Sequence, residues 1–176
     1  MKTIHLTAVA KIAALTLLTV AGAARAHVVL DQPSAPAGSG YRAVFRVGHG
    51  CDGLPTRGIS VRIPAGVRGA RPMPKPGWTL VATPTEVSWS AASPASYLAS
   101  DWFDEFVLRM TLPPEPGALW FQIVQTCDDA GREVRQEWMQ IPKQGTSTQG
   151  LPNAAALLQL EPAAAAAPAH VHEGAH

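Results

Sequence analysis

Tyr41-Arg-Ala-Val-Phe-Arg-Val47 decides the fold, because its side chains change character with a period of two. In an extended strand successive side chains point to opposite faces, so Tyr41, Ala43, Phe45 and Val47 share one face while Arg42, Val44 and Arg46 share the other. One face belongs to a core, the pattern of an antiparallel sheet. Similar short apolar or alternating runs recur on either side, at 28–30, 58–63, 78–82, 86–90, 103–111, 118–126 and 134–141. Gly and Pro punctuate them at 36–40, 64–66, 74–77 and 113–117, and helical periodicity is hard to find between His27 and Pro142. These runs predict an all-β protein, an antiparallel sandwich of the immunoglobulin or cupredoxin type with seven or eight strands.

The two ends of the chain read differently. Residues 1–26 have the form of a secretory signal peptide: Lys2 and Lys11 precede an apolar run at 12–21, and Ala24-Arg25-Ala26 provides small residues for cleavage after Ala26. The expected compartment is the periplasm. No other run approaches the roughly 20 apolar residues needed to cross a bilayer, so no membrane span is expected after the leader is removed. Loss of Lys2, Lys11 and Arg25 leaves 11 of the 14 basic residues against 13 acidic ones, a formal charge of −2. That balance gives no reason to expect nucleic acid as a partner. Residues 27–143 are expected to form one sandwich domain. Residues 144–176 read as a flexible tail rich in Ala, Pro and His, with at most a short helical turn at 153–160, between Pro152 and Pro162.

Cys51 and Cys127 are the only cysteines, and in an oxidising compartment an isolated pair is expected to form a disulfide. Closing so long a loop corresponds to roughly 4 kcal/mol in the chain-entropy model. The bridge would be structural.

Cleavage after Ala26 would give His27 a free α-amine beside its imidazole, and one residue could then chelate Cu(II) through two nitrogens, a histidine brace. Imidazole and amine donors suit the tetragonal preference of Cu(II). Some residue must follow every cleavage site, so His27 alone does not decide between a brace and coincidence. A third protein ligand is also needed.

Five segments in order carry a resemblance. They are His27-Val-Val-Leu-Asp-Gln-Pro-Ser-Ala-Pro-Ala-Gly-Ser39, His49-Gly-Cys-Asp-Gly-Leu-Pro-Thr56, Pro72-Met-Pro-Lys-Pro-Gly-Trp-Thr79, Phe103-Asp-Glu-Phe106 and Glu137-Trp138. Together they resemble the YcnI-like copper-binding domain family over about residues 27–142. The resemblance implies an exported β-sandwich, concerned with copper handling, in which the N-terminal histidine holds Cu(II). A carboxylate after the second strand completes the coordination, and a tryptophan packs close to the metal. His27 corresponds to the histidine and Trp138 to the tryptophan, but the carboxylate position falls in Val47-Gly-His-Gly-Cys-Asp52, where this chain departs from the pattern. His49 is the preferred substitute, since a neutral imidazole ligates Cu(II) well and its flanking glycines permit close approach; Asp52 is the reserve. His49 could instead cap a turn beside the disulfide, and Trp138 could be a core aromatic.

Trp78, Trp89, Trp102 and Trp120 are assigned to packing or to a partner surface, and Asp104 and Glu105 to a solvated strand end in preference to a second metal site. His170, His172 and His176 form a loose, metal-gathering tail. Met73, Met110 and Met139 do not cluster as a Cu(I) carrier would require, so the expected ion is Cu(II). The leading expectation is a non-enzymatic periplasmic Cu(II)-binding protein that stores, buffers or delivers copper to periplasmic or inner-membrane copper-handling proteins. The alternatives are a copper-dependent oxidative enzyme with a brace site, disfavoured because no exposed aromatic plane is evident, and a metal-free envelope interaction domain.

Overall fold

The computed structural model describes residues 27–163, and the leader at 1–26 and the histidines at 170, 172 and 176 lie outside the described residues. Twelve strands succeed one another: β1 (Val29–Leu30), β2 (Ser34–Pro36), β3 (Gly40–Val47), β4 (Thr56–Arg62), β5 (Arg68–Pro72) and β6 (Trp78–Ala82) form the first half. The second half comprises β7 (Glu86–Ala91), β8 (Asp104–Thr111), β9 (Gly117–Phe121), β10 (Ile123–Asp129), β11 (Arg132–Trp138) and β12 (Ala156–Glu161). They assemble into sheets of order β1-β3-β8-β5, β11-β10-β4-β7-β6 and β2-β12-β9, antiparallel except for the β2–β12 pairing. Among the described residues, no helix is long and apolar enough to cross a membrane.

The alternation in β3 survives intact: Tyr41, Ala43, Phe45 and Val47 are buried, and Arg42 and Arg46 are exposed. Edge-to-face aromatic pairs tie the layers together across the core. Phe45 meets Phe121 with ring centroids 5.3 Å apart, and Phe106 meets both Trp78 and Trp89 at 5.2 and 5.6 Å. Full burial of each such side chain contributes about 1.5–3 kcal/mol, so these rings are a large part of what holds the sheets face to face. The expected disulfide is present: Cys51 and Cys127 join the middle of the loop between β3 and β4 to the second half of β10.

Three expectations need correction. The first concerns 118–126, expected as a single strand. Its inward phase does run unbroken through Leu119, Phe121, Ile123, Gln125 and Cys127, but the hydrogen-bonding partner changes at Gln122, from β12 to β4 and β11. Alternation reports which face is buried and carries no information about the neighbouring strand.

The second concerns the tail, since the domain does not end at 143. Residues 156–161 form β12, which lies between β2 and β9 and buries Ala156, Leu158 and Leu160. The run Ala154-Ala-Ala-Leu-Leu158 has neither β-branched residues nor polar alternation, so its period is not legible locally. Small side chains at 154–156 let this backbone pack closely, and Pro152 and Pro162 stand just outside the strand, where a missing donor costs nothing.

The third concerns the number of strands, twelve among the described residues against the seven or eight expected. Besides β12 and the division of 118–126, β2 and β5 were not anticipated. β2 is three residues ending in Pro36, and β5 is Arg68-Gly-Ala-Arg-Pro72 with an irregular register against β8. Both are edge segments whose Gly and Pro read as turns.

Candidate metal centre

His27 lies two residues before β1, whose pairing with β3 sets Val29 against Arg46 and Leu30 against Phe45. Extrapolated two residues beyond the pairing, that register would set His27 opposite Gly48, the residue before His49. On the adjoining sheet, Trp138 closes β11 opposite Ile123, with its indole turned into the core. The two rings meet with centroids 4.9 Å apart and planes inclined at 51°. His27 Nε2 and Trp138 Nε1 are both shielded from solvent, and the indole N–H has no acceptor among the described residues. Leaving a buried donor unsatisfied costs about 1–3 kcal/mol, which native packing ordinarily avoids.

His49 lies half-buried in the loop between β3 and β4, and this loop is tightly specified. A Cβ on Gly50 would lie 1.7 Å from the Leu54 carbonyl oxygen, so only glycine fits there. Gly50 N donates to Ser100 O at 3.1 Å, and Leu54 N donates to Cys51 O at 2.9 Å. Gln125, a buried polar side chain on β10, donates through Nε2 to His49 O at 2.9 Å and to Thr56 Oγ1 at 2.7 Å. His49 Nδ1 approaches Gly50 O at 2.5 Å; with Nδ1 as the donor, the lone pair for any ligand resides on Nε2. The disulfide anchors the same loop to β10.

Asp52 stands apart on the exposed tip of this loop, at a positive φ of 48° that the tight turn imposes. Among the described residues, no three of His, Cys, Asp and Glu converge as a metal-binding group, so His27, His49 and Asp52 do not form a ready three-donor cluster. The arrangement brings the rings of His27 and Trp138 together. A brace depends little on such a cluster, because two of its donors belong to one residue. Imidazole and amine nitrogens are donors of the type Cu(II) accepts, and both would be available only where His27 carries a free α-amine. A cleft of about 330 Å³ opens beside His27, with Leu30, Thr146, Thr148, Leu151 and Ala155 among the residues that line it.

Two features were missed in the sequence. Gln125 occupies an inward position between Ile123 and Cys127, and a polar residue in that phase was the available signal. Trp102 and Phe103, 62% and 57% exposed, lie on the loop that receives the Gly50 hydrogen bond, with the Arg46 guanidinium 5.6 Å from the Phe103 ring centre. They correct the expectation that no exposed aromatic surface is evident. Trp89 and Trp78 pack in the core as expected, and Trp120 is half-buried. The end formed by Asp104 is less solvated than expected, since Lys75 Nζ donates to its carboxylate at 2.6 Å.

No curated protein matches the chain. A solved structure described as an uncharacterized protein from Nocardia farcinica with an immunoglobulin-like fold is 30% identical, covering 76% of this chain and 97% of that one, with a TM-score of 0.63. A type I cohesin from Pseudobacteroides cellulosolvens is 8% identical over 82% of this chain and 97% of its own, with a TM-score of 0.48. The family described as "Domain of unknown function (DUF1775)" matches residues 27–86 and 81–160. The matched residues take in His27, the His49 loop, Trp138 and all but the last residue of β12, and on that extent of agreement the chain belongs to the DUF1775 family.

Proposed function

We propose that this protein is an exported, periplasmic Cu(II)-binding module of the YcnI type, which stores, buffers or passes on copper and is not an enzyme. The observation that carries the reading is the pairing of the His27 imidazole with the buried indole ring of Trp138, 4.9 Å away. In this reading residues 1–26 are removed, and the His27 amine and imidazole take two positions on the ion. His49 offers Nε2 as the third donor, held by Gln125 and Gly50, while Asp52 remains the alternative. Trp138 covers the ion and keeps water from one side, and its ring face attracts the cation. The cleft beside His27 is the route by which copper enters or leaves. Delivery would be to another copper-handling protein of the periplasm or inner membrane, with His170, His172 and His176 as auxiliary captors.

The test is Cu(II) titration followed by electron paramagnetic resonance on two forms of the protein, one beginning at His27 and one carrying an extra residue before it. A tight one-to-one site with nitrogen hyperfine structure in the first form alone supports the brace. Binding should weaken in acid, because protons compete with the ion for the nitrogen donors. Equal binding by both forms, or none by either, overturns the role of His27.

The exposed Trp102 and Phe103 favour a second reading, in which a brace copper performs oxidative chemistry on a substrate resting on those rings. Ascorbate-dependent peroxide formation together with release of soluble oligosaccharide would support it over simple binding.

A further inference from the structure

The two edges of the five-stranded sheet are built in opposite ways. At one edge, β11 presents Arg132, Glu133, Arg135 and Glu137, with Arg135 within 3.6 Å of both Glu133 and Glu137. Charges on an edge strand discourage pairing with other chains. At the other edge, β6 has the sequence Trp78-Thr-Leu-Val-Ala82, and no charged residue occurs from Pro76 to Thr85. Thr79, Val81 and Ala82 are exposed, Val81 to 56%.

The register shows which backbone groups remain open. β6 pairs with β7 antiparallel, Thr79 with Ser90 and Val81 with Ser88, and the same register continues through Ala92 N to Gly77 O and Thr83 N to Glu86 O, both 2.8 Å. Hydrogen-bonded pairs alternate, so the odd-numbered residues face β7. The N–H and C=O groups of Leu80 and Ala82, and the C=O of Trp78, therefore point out of the sheet; Trp78 N donates to Lys75 O at 3.1 Å.

We propose that β6 is a self-association strand, pairing antiparallel with β6 of a second copy about a two-fold axis through Leu80. In that register Leu80 faces its own counterpart, Thr79 faces Val81 of the other copy, and Trp78 faces Ala82. Each contact is neutral, so the like-charge repulsion a charged edge would suffer in a two-fold pair is absent. β-branched Thr–Val pairs are also favourable cross-strand neighbours. Pro76 and Pro84 flank the strand and confine pairing to this one segment. The result joins two five-stranded sheets edge to edge through about four main-chain hydrogen bonds. The inference does not depend on copper.

Sedimentation velocity across a concentration series should show a monomer–dimer equilibrium for the wild type. Val81→Lys, an exposed change that leaves the fold intact by circular dichroism, should weaken that equilibrium by about tenfold or more. Register is tested by oxidative cross-linking. Thr79 and Val81 form a non-hydrogen-bonded pair with Cα atoms about 4.5 Å apart, within disulfide reach. An equimolar mixture of Thr79→Cys and Val81→Cys chains should therefore give a covalent dimer, and either variant alone should not. A wild type that stays monomeric at high concentration, a dimer indifferent to Val81→Lys, or cross-linking by one variant alone each overturns the proposal.

Discussion

Trp89 and Trp138 are buried almost equally, at 1% and 4% exposure, yet their indoles are in different situations. Trp89 packs against Phe106 and donates its Nε1–H to Met73 O at 2.9 Å, so its polar atom is satisfied and its ring is wholly part of the core. Trp138 faces the ring of His27, and its Nε1–H is buried with no acceptor among the described residues. Burial alone does not separate these two tryptophans. The fate of the N–H does, because a buried donor without an acceptor is a cost that packing would remove.

The largest expected effect falls on the satisfied tryptophan. Trp89→Ala should lose about 3–5 kcal/mol in urea unfolding, from the cavity and the lost ring contacts. An intermediate effect is expected near His49. Gln125→Leu removes the donor to both His49 O and Thr56 Oγ1 and should cost about 1–3 kcal/mol. A neutral result would mean that water replaces the amide and that the loop is less enclosed than its contacts imply.

The comparison is sharpest in the paired phenylalanine variants. Trp89→Phe strands the Met73 carbonyl and should cost about 1–3 kcal/mol, whereas Trp138→Phe deletes a donor with nothing to donate to and should stay within about 1 kcal/mol of wild type. Trp138→Phe should nevertheless weaken Cu(II) binding. Equal destabilisation by the two variants would break the distinction drawn between them.

The smallest effect concerns Tyr41, whose hydroxyl donates to Gln32 O. Burial, reinforced by nearby Asp31, pushes its phenol from the ordinary 10 up to about 12. The neutral form is the one favoured by folding. Its contribution is thus fully present below about pH 10 and is lost as pH rises through about 12. Ultraviolet titration should show a phenolate transition near pH 12 that is absent from Tyr41→Phe.

Local sequence was informative where one face met solvent. In β3 and β6 the expected boundaries agree with the structure to within a residue, and β8 begins one residue later than expected. It was uninformative where a strand has neighbours on both faces or carries Gly and Pro, as in β12 and β5. The cysteine pair was legible as a disulfide, whereas His27 and Trp138 were singled out only through their place in a family pattern. Gln125 was not, because its importance lies in reaching a carbonyl 76 residues away in sequence.

By itself the sequence determined the all-β class, the inward face of the strands and the disulfide, since alternation and cysteine count are local properties read through general physical rules. Only the tertiary structure decided that 118–126 changes sheets at Gln122, that 156–161 completes the sandwich, and that the His27 and Trp138 rings meet. Those are relations between segments far apart in the chain. They depend on which strand lies beside which, and that choice is made by the packing of whole sheets, not by any one run of residues.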